Sequence, residues 1–557
     1  MKSSHSNGRR IHITGVVQGV GFRPFVYNLA TDLELTGWVL NSSAGVEIEV
    51  TGPDAALDEF AERLSSDAPP LARIDTVDVA AVPADALDLP DPGEFVIRHS
   101  EARAGDFQPI SPDVSICDDC RRELFDPRDR RHRYPFINCT NCGPRFTIIQ
   151  DIPYDRPQTT MASFKLCPDC QAEYDDPRDR RFHAQPNACP VCGPRVWFER
   201  SGVDLPSASP TAEAAVQATR EALESGWILA IKGLGGFHLA CDATDDRAVV
   251  RLRERKGRVD KPFALMAFDL EAVERFCHVD QAERALLTSR ERPIVLLRER
   301  EDSPISTHVA PGNRYLGVML PYTPLHYLLL EPDDDFPVAL VMTSGNYSEE
   351  PIATDNAEAR QRLGHLADVF LFHDRDIHAR CDDSVTRIFD GVELPVRRSR
   401  GYAPYPVHLP FSAPQILAVG GELKNTFCLT RDRYAFLSQH IGDMENYETL
   451  RFFEQMVEQL ERTFRVEPEI VAHDLHPGYL STKYALGLEM ADGSLQPVQH
   501  HHAHVAAVMA ENGLPGDRSV IGVAFDGTGY GTDGAIWGGE VLVADYATAR
   551  RVAHLKY

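Results

Sequence analysis

A multidomain α/β and α+β architecture follows from three features of the chain. It has 557 residues, too many for one core, and at about 100–200 residues per domain three to five domains are expected. Its first hundred residues read strand, helix, strand, strand, helix, strand, the order of a ferredoxin-like split βαβ unit. After them a cysteine unit is written twice, "CTNCGPRF" at Cys139 returning as "CPVCGPRV" at Cys189.

In the N-terminal module, residues 9–100, "RIHITGVV" and "GVEIEVTG" alternate apolar and polar residues as half-buried strands do. Between them Phe22, Phe25, Val26, Leu29, Ala30 and Leu33 mark one face of a helix. A second helix fits "PDAALDEFAERL", with strands at "RIDTVDVAAV" and "EFVIRH". The turn "VQGVGFRPF" puts Gly19 and Gly21 before a helix start, where backbone amides can face an anion, and Arg23 beside it can clamp a phosphate. "VQGVGFR" followed by "GWVLNSSAGVEIEVTG" resembles acylphosphatase over nearly the whole module. The resemblance implies that Arg23 binds phosphate, Asn41 orients the attacking water, and the substrate is a carboxyl-phosphoryl anhydride. Such a reaction needs positioning and charge neutralisation rather than a nucleophilic side chain.

Residues 110–200 hold eight of the twelve cysteines, in four Cys-x-x-Cys pairs: Cys117/Cys120, Cys139/Cys142, Cys167/Cys170 and Cys189/Cys192. The second set follows the first at a constant offset of fifty positions, and eighteen residues separate the inner cysteines of each copy. That is the spacing of a four-thiolate Zn²⁺ site, so two structural zinc ions are expected. Pairing within each copy is the expectation; ligands shared across copies, an iron–sulfur site and redox dithiols are the alternatives. A closed four-thiolate site has no open coordination position for chemistry, and it stabilises a segment too small to bury much apolar surface.

A Ser/Pro-rich linker, "SGVDLPSASPTAEAA", leads to an α/β domain at residues 208–402. "AAVQATREALESGWILAIKGLGGFHLACDATD" reads helix, strand, glycine turn, with later strands at "RPIVLL" and "PVALVMTSGN". The run "RLRERKGRVDKPFALM" carries Arg255, Lys256, Arg258 and Lys261, which suits a solvated helix face or a phosphate site. Together "KGLGGFHLACDA", "RKGRVDKPFALM", "PYTPLHYLL", "TSGNYSEEP", "DDSVTR" and "RRSRGYAP" resemble the YrdC/TsaC family in their order. The resemblance implies an acyl-adenylate made from ATP with Mg²⁺. It gives Lys232, Lys256, Arg258 and Lys261 as phosphate or acyl contacts, and Ser344 and Asn346 as a Ser-x-Asn signature.

In residues 412–557, "ILAVGGELKNTFCL" resembles the first strand and phosphate turn of an actin-like lobe. If "VQHHHAHVAAVMAE" is helical, His500 and His504 share a face at the i, i+4 spacing that grips a metal. "FDGTGYGTDGAIWGGE" then sets Asp526 at a strand end before glycine turns. The combination resembles the TsaD-type carbamoyltransferase fold, which implies a divalent metal on His500, His504 and Asp526 beside ATP, with His501 and His502 standing behind them or at the surface. Two imidazoles favour a transition metal. The chain stops at Tyr557, where the first lobe of that two-lobed domain should be ending, so a partial domain lacking its second lobe is expected.

This order of modules resembles the HypF family, the carbamoyltransferases of nickel–iron hydrogenase maturation, over essentially the whole chain. The family implies carbamoyl phosphate and ATP as substrates and the C-terminal cysteine of HypE as acceptor. The rivals are a tRNA threonylcarbamoylation enzyme and a zinc-dependent peptide-binding or chaperone module. With 83 acidic against 57 basic side chains, net charge −26, no uniform field attracts nucleic acid. No run of 18 apolar residues and no signal-peptide core is found, so no membrane partner and a cytoplasmic location are expected.

Overall fold

The computed structural model describes residues 7–42, 44–99, 107, 109–201, 211–347 and 350–556. Most of the Ser/Pro-rich linker lies outside the described residues. The chain divides into two compact units, the first running to Tyr402 except for residues 349–351, the second comprising those three and Ala403 onward.

The first unit opens with a five-stranded sheet in the order Arg73–Pro83, Asn7–Val16, Gly45–Gly52, Thr36–Ser42, Phe95–Ile97. Its register faces Ile11 with Ile48 and Ile13 with Val46, putting alternate apolar residues on the face that two helices cover. Helix Phe22–Asp32 buries Phe22, Val26 and Leu29, and helix Asp54–Ser66 buries Leu57, Phe60 and Leu64. Gly21, at the N-cap of the first helix, has φ 77°, a left-handed conformation that glycine adopts without strain. Glycine there offers no side chain to the helix's first amides, which stay available to a ligand.

Each cysteine copy folds as a short helix followed by turns. Helices Asp118–Phe125 and Pro168–Asp175 begin directly after Cys117 and Cys167, so each first Cys-x-x-Cys pair wraps one helical turn. Past Cys192 the chain enters strand Val196–Arg200, which pairs antiparallel with Val369–His373 at the edge of a ten-stranded mixed sheet. The finger module is thus bonded into the sheet of the next domain.

That sheet runs Val392–Arg397, Val385–Phe389, Ile294–Arg298, Tyr315–Met319, Ala264–Met266, Leu340–Ser344, Phe237–Asp242, Leu229–Lys232, Val369–His373, Val196–Arg200. Strands Leu229–Lys232 and Val369–His373, which lie inside the edge strand, are buried throughout, and their sequences are continuous apolar runs with Lys232 and His373 at the ends. The basic run separates into distinct environments. Helix Asp246–Lys256 starts on an Asp245 cap and ends at Gly257 with φ 64°. Along it Arg255 pairs with Asp368 at 2.8 Å, while Lys256, the last helical residue, is 1% exposed.

In the second unit a five-stranded sheet has the order Val407–Ala413, Cys428–Leu437, Ile416–Ala418, Ile470–Asp474, Leu495–Val498. Helix Tyr447–Phe464, capped by Asn446, buries Phe452, Phe453, Met456 and Leu460. The histidine run forms helix His500–Glu511. A three-stranded meander, Val520–Tyr530, Ile536–Ala544 and Ala549–His554, ends the described chain. Asp526 does not stand at a strand end as expected. It lies inside strand Val520–Tyr530, where the ladder register shifts between Phe525 and Gly529, and such a bulge re-aims a side chain without ending the strand.

Candidate functional site

The eight cysteines form two groups, each within one copy. In the first, Sγ separations are 3.6 Å for Cys117–Cys139, 3.8 Å for Cys139–Cys142 and 3.6 Å for Cys142–Cys120. In the second they are 3.7 Å for Cys167–Cys189, 3.7 Å for Cys189–Cys192 and 3.6 Å for Cys192–Cys170. A Zn–S bond of about 2.3 Å gives a tetrahedron whose edges are about 3.8 Å. The thiolates therefore fit one tetrahedral ion apiece and are too far apart for disulfides.

The copies are locked together reciprocally. Arg130 donates to Cys170 Sγ at 3.2 Å and Arg131 to Glu173 at 2.9 Å, while Arg180 donates to Cys120 Sγ at 3.0 Å and pairs with Glu123, as does Arg181. The "PRDRR" of each copy so neutralises the sulfur cage of the other. Burial raises the Glu173 carboxyl, but Arg131 and Arg130 outweigh it and bring it down to about 2. Arg131 is 1% exposed, and removing one partner of a buried pair strands the other. Arg131→Ala should therefore cost about 3 kcal/mol in urea unfolding of the intact chain; an unchanged midpoint would contradict the pairing.

The glycine turn, Arg23 and Asn41 line a cavity that the finger module closes. Thr140 and Arg145 of the first copy, Phe182, His183 and Gln185 of the second, and Tyr154 between them form its other wall. A Cβ on Gly19 would lie 2.8 Å from the Tyr154 ring, so the finger packs directly on the turn. Arg23 is 7% exposed and meets Asp155 at 3.4 Å; Asn41 is 2% exposed, and its Oδ1 accepts no hydrogen bond among the described residues. Burial, and then Arg23, depress His183 to about 4, so this imidazole is neutral.

A second cavity holds Lys232, His373 and Arg375 on one side and Phe136, Gly143 and Pro144 of the first finger on the other. Lys232 Nζ donates to the His373 carbonyl at 3.1 Å, and burial depresses it to about 8. Lys256 Nζ donates to the carbonyls of Ser344 at 2.6 Å and Asn346 at 2.5 Å and to Asn346 Oδ1 at 2.8 Å. Ser344 Oγ donates to the same Oδ1 at 2.8 Å. Arg258 donates to Thr343 Oγ1 at 3.2 Å, and burial lowers it to about 10. Lys256, Arg258, Ser344 and Asn346 thus meet at the end of strand Leu340–Ser344, whereas Lys261 is exposed.

In the second unit His500 Nε2 lies 2.9 Å from Asp526 Oδ2, and His504 Nε2 lies 3.4 Å from the same oxygen and 3.2 Å from His500 Nε2. These donors converge as metal ligands do. Asp474, at the end of its strand, takes His500 Nδ1 at 2.6 Å and with it raises the imidazole pKa against burial. Such a carboxylate fixes the tautomer and leaves Nε2 to a metal. His501 is fully buried beside Trp537, and His502 bonds the Asp545 carbonyl at 2.7 Å.

Family models match along the chain: acylphosphatase at residues 9–88, the HypF finger at 116–149 and 166–199, "Telomere recombination" (the Sua5/YciO/YrdC family) at 221–399, and the HypF Kae1-like domain at 411–511. Carbamoyltransferase HypF2 of Cupriavidus necator is 50% identical over 98% of this chain and 69% of its own. The chain belongs to the HypF carbamoyltransferase family. HypF of Synechocystis is 48% identical over 98% of the chain and 69% of its own length. A crystal structure of full-length HypF in the phosphate- and nucleotide-bound form matches with TM-score 0.92 at 50% identity, over 99% of this chain and 70% of that one.

Membership makes the protein a carbamoyltransferase of hydrogenase maturation, with an acylphosphatase domain and two four-cysteine zinc fingers; neither rival reading is favoured. One expectation needs correction. The model of the second subdomain of the Kae1-like carbamoyltransferase domain matches residues 522–557, so the closing meander begins that lobe rather than ending the first. In this HypF chain sequence reasoning missed Asp155, His183, Arg145 and Asp474. Only Arg145 had a visible signal, its place in the repeated "CGPR".

Proposed function

We infer that this member of the HypF family makes a carbamoyl thioester in three steps. Carbamoyl phosphate enters the cavity of Arg23 and Asn41: the guanidinium holds the phosphoryl oxygens, the amide oxygen accepts a hydrogen bond from the attacking water and orients it, and carbamate and phosphate leave. Carbamate then attacks the α-phosphorus of ATP, bound as its Mg²⁺ complex near Lys232, Lys256, Arg258, Ser344 and Asn346, giving carbamoyl-adenylate and pyrophosphate. The C-terminal cysteine thiolate of HypE takes the carbamoyl group at the third site and AMP departs. His500, His504 and Asp526 would hold a divalent ion there, which supplies Lewis acidity when bound; Asp474 orients His500. Thiolate chemistry and eight metal-binding cysteines suit the reducing cytoplasm.

The observation that carries this reading is the first finger's "CGPR" loop. Gly143 and Pro144 line the second cavity while Arg145 lines the first, so one loop borders both of the sites between which a short-lived carbamate would pass. An enclosed passage there would limit its loss to water. The test is carbamoyl-phosphate-dependent exchange of labelled pyrophosphate into ATP by this chain without tRNA. Exchange supports the reading, and its absence in a folded, zinc-loaded chain overturns it.

The depressed pKa of Lys232 gives a second check. Near pH 8.5 this amine is mostly neutral in the free enzyme, since burial holds it at about 8. A phosphate chain beside it favours the charged form, so nucleotide binding at that pH should take up a proton. Calorimetry in two buffers of different ionisation enthalpy reads this directly, and identical heats would exclude Lys232 from the nucleotide contacts.

A further inference from the structure

The two cysteine copies repeat "CGPR", yet its arginines have opposite fates. Arg195 of the second copy is exposed. Arg145 of the first is 3% exposed and lines the Arg23 cavity. Its Nε donates to the Gly19 carbonyl at 2.7 Å, its Nη1 to Cys142 and Pro144 at 3.0 and 2.8 Å, and its Nη2 to Thr140 at 2.8 Å. All four acceptors are neutral carbonyls, and among the described residues no carboxylate forms an ion pair with this guanidinium. By contrast Arg23 is offset by Asp155 at 3.4 Å. The cavity wall therefore carries one cation from the N-terminal domain that a carboxylate partly offsets, and one from the finger that no ion pair offsets among the described residues.

We propose that Arg145 is a positioning residue of the phosphate-binding turn and, beside Arg23, a second source of the positive field that holds the phosphoryl group of the substrate. By gripping the Gly19 carbonyl it orients the turn, so that the amides after Gly19 stay aimed at the anion. Its charge, carried by a side chain 3% exposed, adds Coulomb attraction that solvent and salt screen less than at the open surface. The anion site is thereby completed by the metal-held finger; both copies wall it, and only the first contributes its "CGPR" arginine. The proposal rests on carbamoyl phosphate being the substrate of this cavity, but its test does not depend on that alone.

The full chain would be compared with Arg145→Gln, Arg145→Lys and Arg195→Gln for phosphate release from carbamoyl phosphate, calorimetric affinity for inorganic phosphate, zinc per chain, and pyrophosphate exchange driven by added ammonium carbamate. Arg145→Gln should raise KM and weaken phosphate binding by about 10- to 100-fold, the range of a lost charge-assisted contact. Zinc content and carbamate-driven exchange should be unchanged. Arg145→Lys keeps the charge but cannot hold four carbonyls, so it should recover most of the phosphate affinity while kcat stays low. Arg195→Gln should match wild type. Should Arg145→Gln lose zinc, the lysine variant decides: phosphate affinity kept with reduced kcat supports the proposal, and wild-type kinetics overturn it. Unchanged phosphate affinity in Arg145→Gln also overturns it. If the wild-type chain releases no phosphate from carbamoyl phosphate, the substrate assignment has failed; weaker phosphate binding in Arg145→Gln would still support the role of Arg145.

Discussion

Arg23→Ala should abolish carbamoyl-phosphate-dependent pyrophosphate exchange, while exchange driven by added ammonium carbamate survives. The side chain is almost fully buried in the anion cavity, where a cation acts in a medium poor in water and so stabilises developing charge strongly. Losing one such preorganised donor costs about 10²- to 10³-fold in turnover. Here the loss should be larger, because alanine leaves the Asp155 carboxylate, which now meets Arg23 at 3.4 Å, without its cation and with the Gln185 amide at 3.4 Å, and an unneutralised carboxylate beside the cavity repels the phosphoryl group. Asn41→Ala should show the same pattern with a different split. Phosphate should still bind, since Arg23 remains, whereas turnover falls because the buried Oδ1 that would accept a hydrogen bond from the attacking water and orient it is gone. Equal exchange with both substrates in Arg23→Ala would mean that carbamate is made elsewhere. Loss with both would mean that the residue supports the fold or the second site.

How much of this was legible in the sequence depended on whether the signal was local. The metal cages were, because Cys-x-x-Cys fixes two ligands on one helical turn and the second pair follows at a constant spacing. So was the histidine helix, since i, i+4 spacing maps onto one face whatever the surroundings. The basic run was half legible: its helix was visible, but nothing local distinguished buried Lys256 from Arg255, whose partner Asp368 lies over a hundred residues away. Asp155 was invisible for the same reason, its partner Arg23 lying 132 residues away; Asp474, 26 residues from His500, was a single carboxylate in another element with no local motif to tie it to the histidines. Asp526 was found but misplaced, because a register shift inside a strand leaves no trace in an alternation pattern broken by glycines. The repeat also hid an asymmetry. Equal motifs suggested equal roles, yet burial made Arg145 and Arg195 different.

Cys139→Ser should leave the chain with about one zinc in place of two and should disable the first reaction without touching the third domain. Cys139 is 1% exposed and stands 3.6 Å from Cys117 and 3.8 Å from Cys142, and among the described residues its cage holds only the four cysteines. Structural zinc binding is folding free energy, about 10–16 kcal/mol in small fingers, and a three-thiolate cage retains only part of it. The loop that loosens carries Thr140 and Arg145, which wall the anion cavity, and Gly143 and Pro144, which wall the next. Both carbamoyl phosphate hydrolysis and its coupling to pyrophosphate exchange should therefore fail. The damage should reach the second finger as well. Arg180 and Arg181 anchor that finger through Cys120 and Glu123 of the first, so chelators should strip the remaining zinc faster than they strip either ion from wild type. Limited proteolysis should cut between residues 110 and 200 while the histidine helix stays protected. Cys428→Ser, a cysteine outside both cages, is the control and should keep two zincs. Two zincs retained in Cys139→Ser, or a second site no easier to strip, would show that the fingers are independent and that the reciprocal arginines do not couple them.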